Sequence, residues 1–325
     1  MRYFRLLGIM IIMAALTACE KVIIYDDLAP EPFLVVNGFQ HVGEPVCLSV
    51  EKSSFYINSE KDLRVKDLHA DLYVNGIFKE SLQVRDSIVT ETYYIWTEED
   101  EEDEEEVMVY AFNYCEGAYL LCEGDEIRVE VSSSEFDKVA VAEIEMPLAP
   151  KVISFDTVRS EVIFEGAKTL YFSLIIDDPV GKDCYNFYPK DGFDSFVSTD
   201  PVFYDFMDVM SVDDLFGGSE YYGYGAINLF DDSYFDGHQY SVTMTHHIYT
   251  SSGEYEKPFT LEVSRVDYGY YQYMKSLNSY QSVDDELLGY FTEPTQVYSN
   301  VKNGLGVVGA QSNPVIMVID LTSNF

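Results

Sequence analysis

Asn75 and Gly76 sit in the middle of an alternating stretch, His69-Ala70-Asp71-Leu72-Tyr73-Val74 before them and Ile77-Phe78 after. An Asn-Gly pair between alternating residues closes a two-residue β-hairpin, because both positions tolerate the left-handed backbone such a turn requires. The same grammar recurs along the first half of the chain. Phe33-Leu34-Val35-Val36 is an apolar run before Asn37-Gly38, read as a buried strand closed by a turn, and Val46 to Val50 reads as its partner. Ile127-Arg128-Val129-Glu130-Val131 alternates after Gly124-Asp125, and Val139 to Met146 alternates up to Pro147. Short strands at this spacing, separated by turn residues, predict an antiparallel sandwich of immunoglobulin-like size over 33–148.

The second half continues in the same style after Leu148-Ala149-Pro150. Strands are expected at Thr169 to Ile176, Cys184 to Pro189, Gln239 to Ile248, Phe259 to Val263, Val307 to Ala310 and Val315 to Leu321. Residues 191–225 read as loop. One segment has helical spacing: Val266, Tyr270, Tyr273, Leu277 and Tyr280 step by four and three, predicting an amphipathic helix near 265–281. The fold class expected is therefore mainly β, two sandwich-like domains over 33–148 and 149–325, with one helix in the second. The 27 Tyr and 21 Phe, with 47% hydrophobic residues, supply enough apolar surface for real cores.

The first residues specify an address. Arg2 and Arg5 precede an apolar run from Leu6 to Leu16, then Thr17-Ala18-Cys19. That run is shorter than the roughly 20 residues that cross a bilayer, and it ends in small residues before a cysteine. Residues 1–18 are read as a lipoprotein signal peptide, Cys19 as the acylated N-terminus, and 19–32, with Pro30 and Pro32, as a tether. The membrane is thus an expected partner through lipid. Nucleic acid is excluded as a partner: the formal charge is −37, and loss of Arg2 and Arg5 makes the mature chain more acidic still.

Chemistry is sparse. No G-x-S-x-G elbow, H-E-x-x-H pair, phosphate loop or dinucleotide fingerprint is present, so neither a cofactor nor catalytic residues are assigned. His246 and His247 are adjacent on an expected strand and point to opposite faces. Asp232, Asp236 and Gly237 have the spacing that opens a calcium loop, but Tyr234 occupies the middle ligand position and Thr243 the closing one. Asp231 to Gly237 is therefore read as a turn between strands, and no metal site is assigned. The unbroken acids from Glu98 to Glu106 cannot be buried and are read as a solvated loop or hairpin tip. Cys115 and Cys122 flank a short segment, so a local disulfide is possible in an exported chain. Tyr221, Tyr222 and Tyr224 are the candidate ligand-facing patch, since aromatic area is the usual lining of a binding site.

These segments together resemble the domain-of-unknown-function 4249 family, lipoproteins of Bacteroidota. The resemblance begins at Cys19-Glu20-Lys21-Val22-Ile23 and the strand Phe33 to Gly38. It continues through Val65 to Gly76 and Gly124 to Pro147, then Phe235 to Tyr240 and the helix Tyr268 to Tyr280. The most specific match runs from Glu293 to Gly309, Glu-Pro-Thr-Gln-Val-Tyr-Ser-Asn-Val-Lys-Asn-Gly-Leu-Gly-Val-Val-Gly. The acidic run and the two cysteines depart from the family pattern. The resemblance carries no catalytic residues. It implies an outer-membrane, surface-exposed lipoprotein, and Glu20, Asp26 and Asp27 are compatible with a surface-export signal. The function expected is a non-enzymatic ligand-binding or accessory component working with a TonB-dependent transporter. The alternatives are an adhesin or fimbria-like structural protein, then a hydrolase using unrecognised carboxylates.

Overall fold

In the computed structural model the described residues are 31–54, 62–95, 104–164, 167–189, 196–197, 228–249, 259–281 and 296–319. The signal peptide, Cys19, most of the tether and the Tyr221, Tyr222 and Tyr224 patch lie outside them, as do residues 98–103 of the acidic run. Among the described residues no helix is long and apolar enough to cross a membrane.

The chain is mainly β. In order the strands are β1 (Leu34–His41), β2 (Pro45–Lys52), β3 (His69–Val74), β4 (Ile77–Ser81), β5 (Gln83–Ile95), β6 (Glu104–Leu120), β7 (Glu126–Ser132) and β8 (Ala140–Glu145). Then come β9 (Val152–Phe164), β10 (Ala167–Asp177), β11 (Cys184–Pro189), β12 (Phe196–Val197), β13 (Asn228–Asp231), β14 (Gln239–Tyr249) and β15 (Phe259–Val266). Helix α1 (Tyr268–Gln281) precedes β16 (Val308–Gln311) and β17 (Val315–Ile319). The Asn75-Gly76 turn closes β3 onto β4 with φ of 54° and 75°, as the dipeptide requires.

Two sandwich cores form, each from the period-two burial written in the sequence. In β7, Ile127, Val129 and Val131 are buried while Glu126 and Arg128 face water. Each such buried aliphatic chain contributes roughly 1.5–3 kcal/mol. With Leu34, Val36, Val46, Leu48, Leu72 and Cys115 they make the first core, between β1, β2 and β6 on one side and the sheet β4-β3-β7-β8 on the other. Leu170, Phe172, Leu174, Tyr185, Phe187, Phe230, Val242 and Leu261 make the second, against the sheet β12-β14-β10-β9.

The two-domain division at 148/149 needs correction, because one nine-stranded sheet serves both cores. Its order is β13-β11-β15-β16-β1-β2-β6-β5, with β17 paired to β15. The first strand thus lies beside one of the last: β1 runs parallel to β16, Gly38 opposite Val308. Residues 33–53 and 60–325 form one compact unit. A second correction concerns Asn37-Gly38, which lies inside β1 and is not a turn. Glycine is needed there because a Cβ would stand 2.5 Å from the Cys47 carbonyl oxygen. The Gln40 side chain fills the neighbouring space, donating to that same oxygen at 2.8 Å and accepting from the Cys47 N–H at 3.0 Å.

Helix α1 begins where Asp267 ends β15. Its carboxylate accepts from the Tyr270 N–H at 3.1 Å and also from the Ala310 N–H, so one side chain caps the helix and ties it to β16. Tyr271, outside the expected stripe, is fully buried, packed with Cys184, Leu229 and Val266. Tyr270 and Met274 pack beside it.

Candidate functional site

Among the described residues, three carboxylates converge where β10 ends and where β13 turns into β14. Asp178 follows β10 directly, and Pro179 stops the strand there. Between β13 and β14, residues 232–238 make the turn expected from Asp231 to Gly237. The Phe235 N–H donates to the Asp232 carbonyl at 2.8 Å, and the His238 N–H to the Phe235 carbonyl at 2.8 Å. Gly237 has φ of 71°. This folding places one oxygen from each of Asp178, Asp232 and Asp236 within 4.8 Å of one another. Asp178 and Asp232 are only 6% and 4% exposed, whereas Asp236 is open to solvent.

Every member is held by hydrogen bonds. Asp178 accepts from the Gly237 N–H at 2.8 Å and from the Tyr185 hydroxyl, which is itself fully buried. Asp232 accepts from the Asp183 N–H at 2.9 Å, and the Asp232 N–H returns a bond to the Asp183 carbonyl at 3.0 Å. Asp236 accepts from the Gly181 N–H at 2.9 Å. Asp183 in turn pairs with the Arg265 guanidinium. Burial, then the negative charges of Asp178, Asp236 and Asp231, push the Asp232 carboxyl up to about 7. Burial and the bond to Asp178 push the Tyr185 hydroxyl up as well, so it stays a donor at any physiological pH.

Chemically, this environment favours the protonated form of the Asp232 carboxyl. The hard oxygens of the cluster are also of the type that binds calcium or magnesium, where carboxylates from separate elements converge. The calcium-like spacing of Asp232 and Asp236 is missing a ligand at Tyr234, which is exposed. Asp178, from an element more than fifty residues away, brings the third carboxylate to that neighbourhood. Sequence reasoning missed Asp178 because nothing local marks it; Asp177-Asp178-Pro179 signals only a strand end. Both oxygens of Asp178 are occupied, by Gly237 and Tyr185, so the arrangement as built ties three connections together around the end of the second sandwich.

The remaining expected sites divide plainly. Cys115 and Cys122 are both free, which corrects the possible disulfide. Cys115 is buried in the first core and β6 stays extended to Leu120. At about 3.4 Å per residue that carries Cys122 well past the roughly 4.4–6.8 Å a disulfide spans. The register of β14 sets His246 opposite Leu170 and His247 opposite Thr169.

The segment that carried the sharpest resemblance has a mechanical role. Where it is described, from Gln296 on, it threads between β1 and β8. Val36 N–H donates to Leu305 at 2.9 Å, Gly38 N–H to Val307 at 3.0 Å, and Lys302 and Val141 exchange bonds at 2.8 and 2.9 Å. The Asn300 side chain donates to the Val308 carbonyl at 2.7 Å and accepts from its N–H at 3.0 Å. Gly306 has φ of 105°, and a Cβ there would collide with the Val36 carbonyl oxygen. The sequence profile described as Domain of unknown function (DUF4249) matches residues 21–314. The chain belongs to this family. In DUF4249 terms, the Asn300 to Gly309 signature of this chain is a clasp that seats β16 beside β1. None of the curated proteins matches the DUF4249 chain. Among solved structures, a protein described as membrane anchored, from Corynebacterium diphtheriae, aligns with 11% identity and a TM-score of 0.20. The alignment covers 88% of this chain and 59% of that one.

Proposed function

We propose that this chain is an outer-membrane lipoprotein, acylated at Cys19 and displayed on the cell surface, whose β body binds a ligand or assists a TonB-dependent transporter without catalysis. The observation that carries the reading is the signal ending in Leu16-Thr17-Ala18-Cys19. The spacing between lipid and fold supports it: the first core strand opens at Leu34, so the stretch from Cys19 reaches at most about 50 Å when extended, at roughly 3.3–3.6 Å per residue. Several acyl chains on one cysteine, at about 0.8 kcal/mol per buried methylene, make such an anchor effectively permanent. The non-catalytic part of the reading is supported by the hydrogen-bonded, fold-fixing state of Asp178, Asp232 and Asp236. The finer ligand site proposed is the Tyr221, Tyr222 and Tyr224 patch.

Three measurements test it. Radiolabelled palmitate is incorporated into the wild-type chain and not into Cys19→Ala. Proteinase treatment of intact cells removes the body if it faces outward and spares it if it faces the periplasm. Mild detergent extraction recovers the chain with a transporter; recovery without one, together with normal growth on every nutrient, sinks the accessory role.

A further inference from the structure

We propose that the end of the β body formed by the Asn75-Gly76, 121–125, 178–183 and 232–238 turns docks a basic, apolar face of a second protein; this needs no lipid at Cys19 and holds whichever protein supplies that face. One row across the nine-stranded sheet fixes what shares this end. His41 lies opposite Gln311, Gln311 opposite Val266, Val266 opposite Cys184, and Cys184 opposite Asp231. The β1–β2 turn therefore stands level with the connections that enter β11 and leave β13. In the first sandwich the turns at this end are tied together: the Gly43 N–H donates to the Leu121 carbonyl at 2.8 Å, the Leu121 N–H to the Glu44 carbonyl at 3.0 Å and the Gly124 N–H to the Met146 carbonyl at 2.9 Å. The Asn75 side chain donates to Asp125 at 3.0 Å. The two halves meet here, since the Arg265 guanidinium feels the charges of Asp178 from the second sandwich and of Glu145 and Glu123 from the first. Every connection at this end lies among the described residues.

Turns are normally polar, and these carry apolar tips. Val180 is 88% exposed, Ile77 and Tyr234 63%, Leu120 57% and Leu148 52%. Single exposed apolar residues are ordinary; a group of them on the turns of one end marks an interaction surface. Their turns adjoin. A Cβ on Gly124 would stand 3.8 Å from the Leu148 side chain, and one on Gly237 would stand 2.8 Å from Val180, so Val180 lies against the turn that carries Tyr234. The hydrogen bonds that fix these turns hold the tips in place before binding, which lowers the ordering cost of an interface.

Charge selects the occupant. The same turns and strand ends expose Glu44, Glu123, Glu126, Glu145 and Asp236. The lysines of this end are already engaged: Lys79 lies over the Tyr119 ring, Lys182 over the Tyr268 ring, and Lys151 pairs with Asp177. Apolar tips among acids match a partner whose own apolar patch is rimmed by Lys and Arg. An anionic lipid surface is repelled by the same acids. A second copy of this end would set acid against acid.

The test places a photo-crosslinking amino acid at Leu148, at Val180 or, as a control, at the exposed Val158 of β9, in the full chain within the cells that make it. Adducts and the joined segments are identified by mass spectrometry. One and the same protein is expected from Leu148 and Val180, at least tenfold above Val158, joined through a segment with more Lys and Arg than Asp and Glu. Val180→Asp should lower the Leu148 adduct at least tenfold, as should Glu123→Lys combined with Glu145→Lys, while β7 amides remain protected from hydrogen exchange. Equal adducts from Val158, an acidic joined segment, adducts with lipid or with a second copy in place of that protein, or no adduct above the control would overturn the proposal. Palmitate labelling separates the two readings: the expected adduct from a chain that takes up no palmitate sinks the anchor only, and labelling without the adduct sinks the docking end only.

Discussion

Asp232→Asn should stabilise this protein at alkaline pH, an unusual outcome for replacing a buried, hydrogen-bonded side chain. In the unfolded chain the carboxyl ionises near 3.8; in the fold it holds its proton up to about 7. Between those values the folded state binds the extra proton. Stability contributed by the protonated form is therefore complete below about 4, falls as pH rises, and is lost above about 7. At about 1.4 kcal/mol per unit the shift corresponds to at most about 4 kcal/mol. The neighbouring Asp236 is open to solvent, so water screens part of the charge, and about 2 kcal/mol is the working figure. Asparagine keeps an oxygen for the Asp183 N–H and removes the titration. Thermal melts followed by circular dichroism in EDTA, at about pH 4.5 and about pH 8, measure the effect; the chelator matters because a divalent cation among the carboxylates would neutralise the same repulsion. The variant should gain about 3–6 °C over wild type on going from the lower to the higher pH, for a unit of this size. A difference that stays constant or shrinks with pH would refute the argument.

Other perturbations have clear signs. Gly306→Ala combines a left-handed backbone with a Cβ driven into the Val36 carbonyl, and should cost about 3 kcal/mol or more in a denaturant titration. Asp267→Ala removes the α1 cap and leaves the Ala310 N–H without its acceptor, for about 2–3 kcal/mol in the same assay. With Cys19 replaced by Ala, a thiol reagent should modify the exposed Cys122 rapidly in the native protein. Cys115, whose thiol is pushed up to about 12 by burial, should react only on unfolding, and reductant should leave the melting temperature unchanged.

Local rules reached as far as the strands and turns. Alternation located β3, β7 and β8, and Asn75-Gly76 fixed the hairpin that adds β4, because burial on one face and a left-handed turn are both decided by nearest neighbours. Asn37-Gly38 misled for the same reason: the dipeptide's turn preference is local, while the need for a bare Cα against Cys47 comes from the adjacent strand. The shared sheet was invisible because the parallel β1–β16 contact depends on residues 270 positions apart, Asn37 and Val307 among them. Asp178 escaped for a similar reason, since its company comes from another turn. The helix was placed well, yet Tyr271 is buried among its described residues, because its neighbours Cys184 and Leu229 come from β11 and β13, which a one-dimensional stripe does not describe.

The pairing of β1 with β16 also sets a timetable. A ribosome or export channel delivers β1 first and β16 near the end, so the strand at the middle of the large sheet waits for almost the whole chain before it gains its second neighbour. Topologies dominated by such distant contacts fold slowly. Until the Asn300 to Gly309 clasp arrives, that side of β1 stays unpaired. A truncation before β16 should accordingly leave β1 as a raw edge and yield an aggregating product, however complete the first core's other strands are.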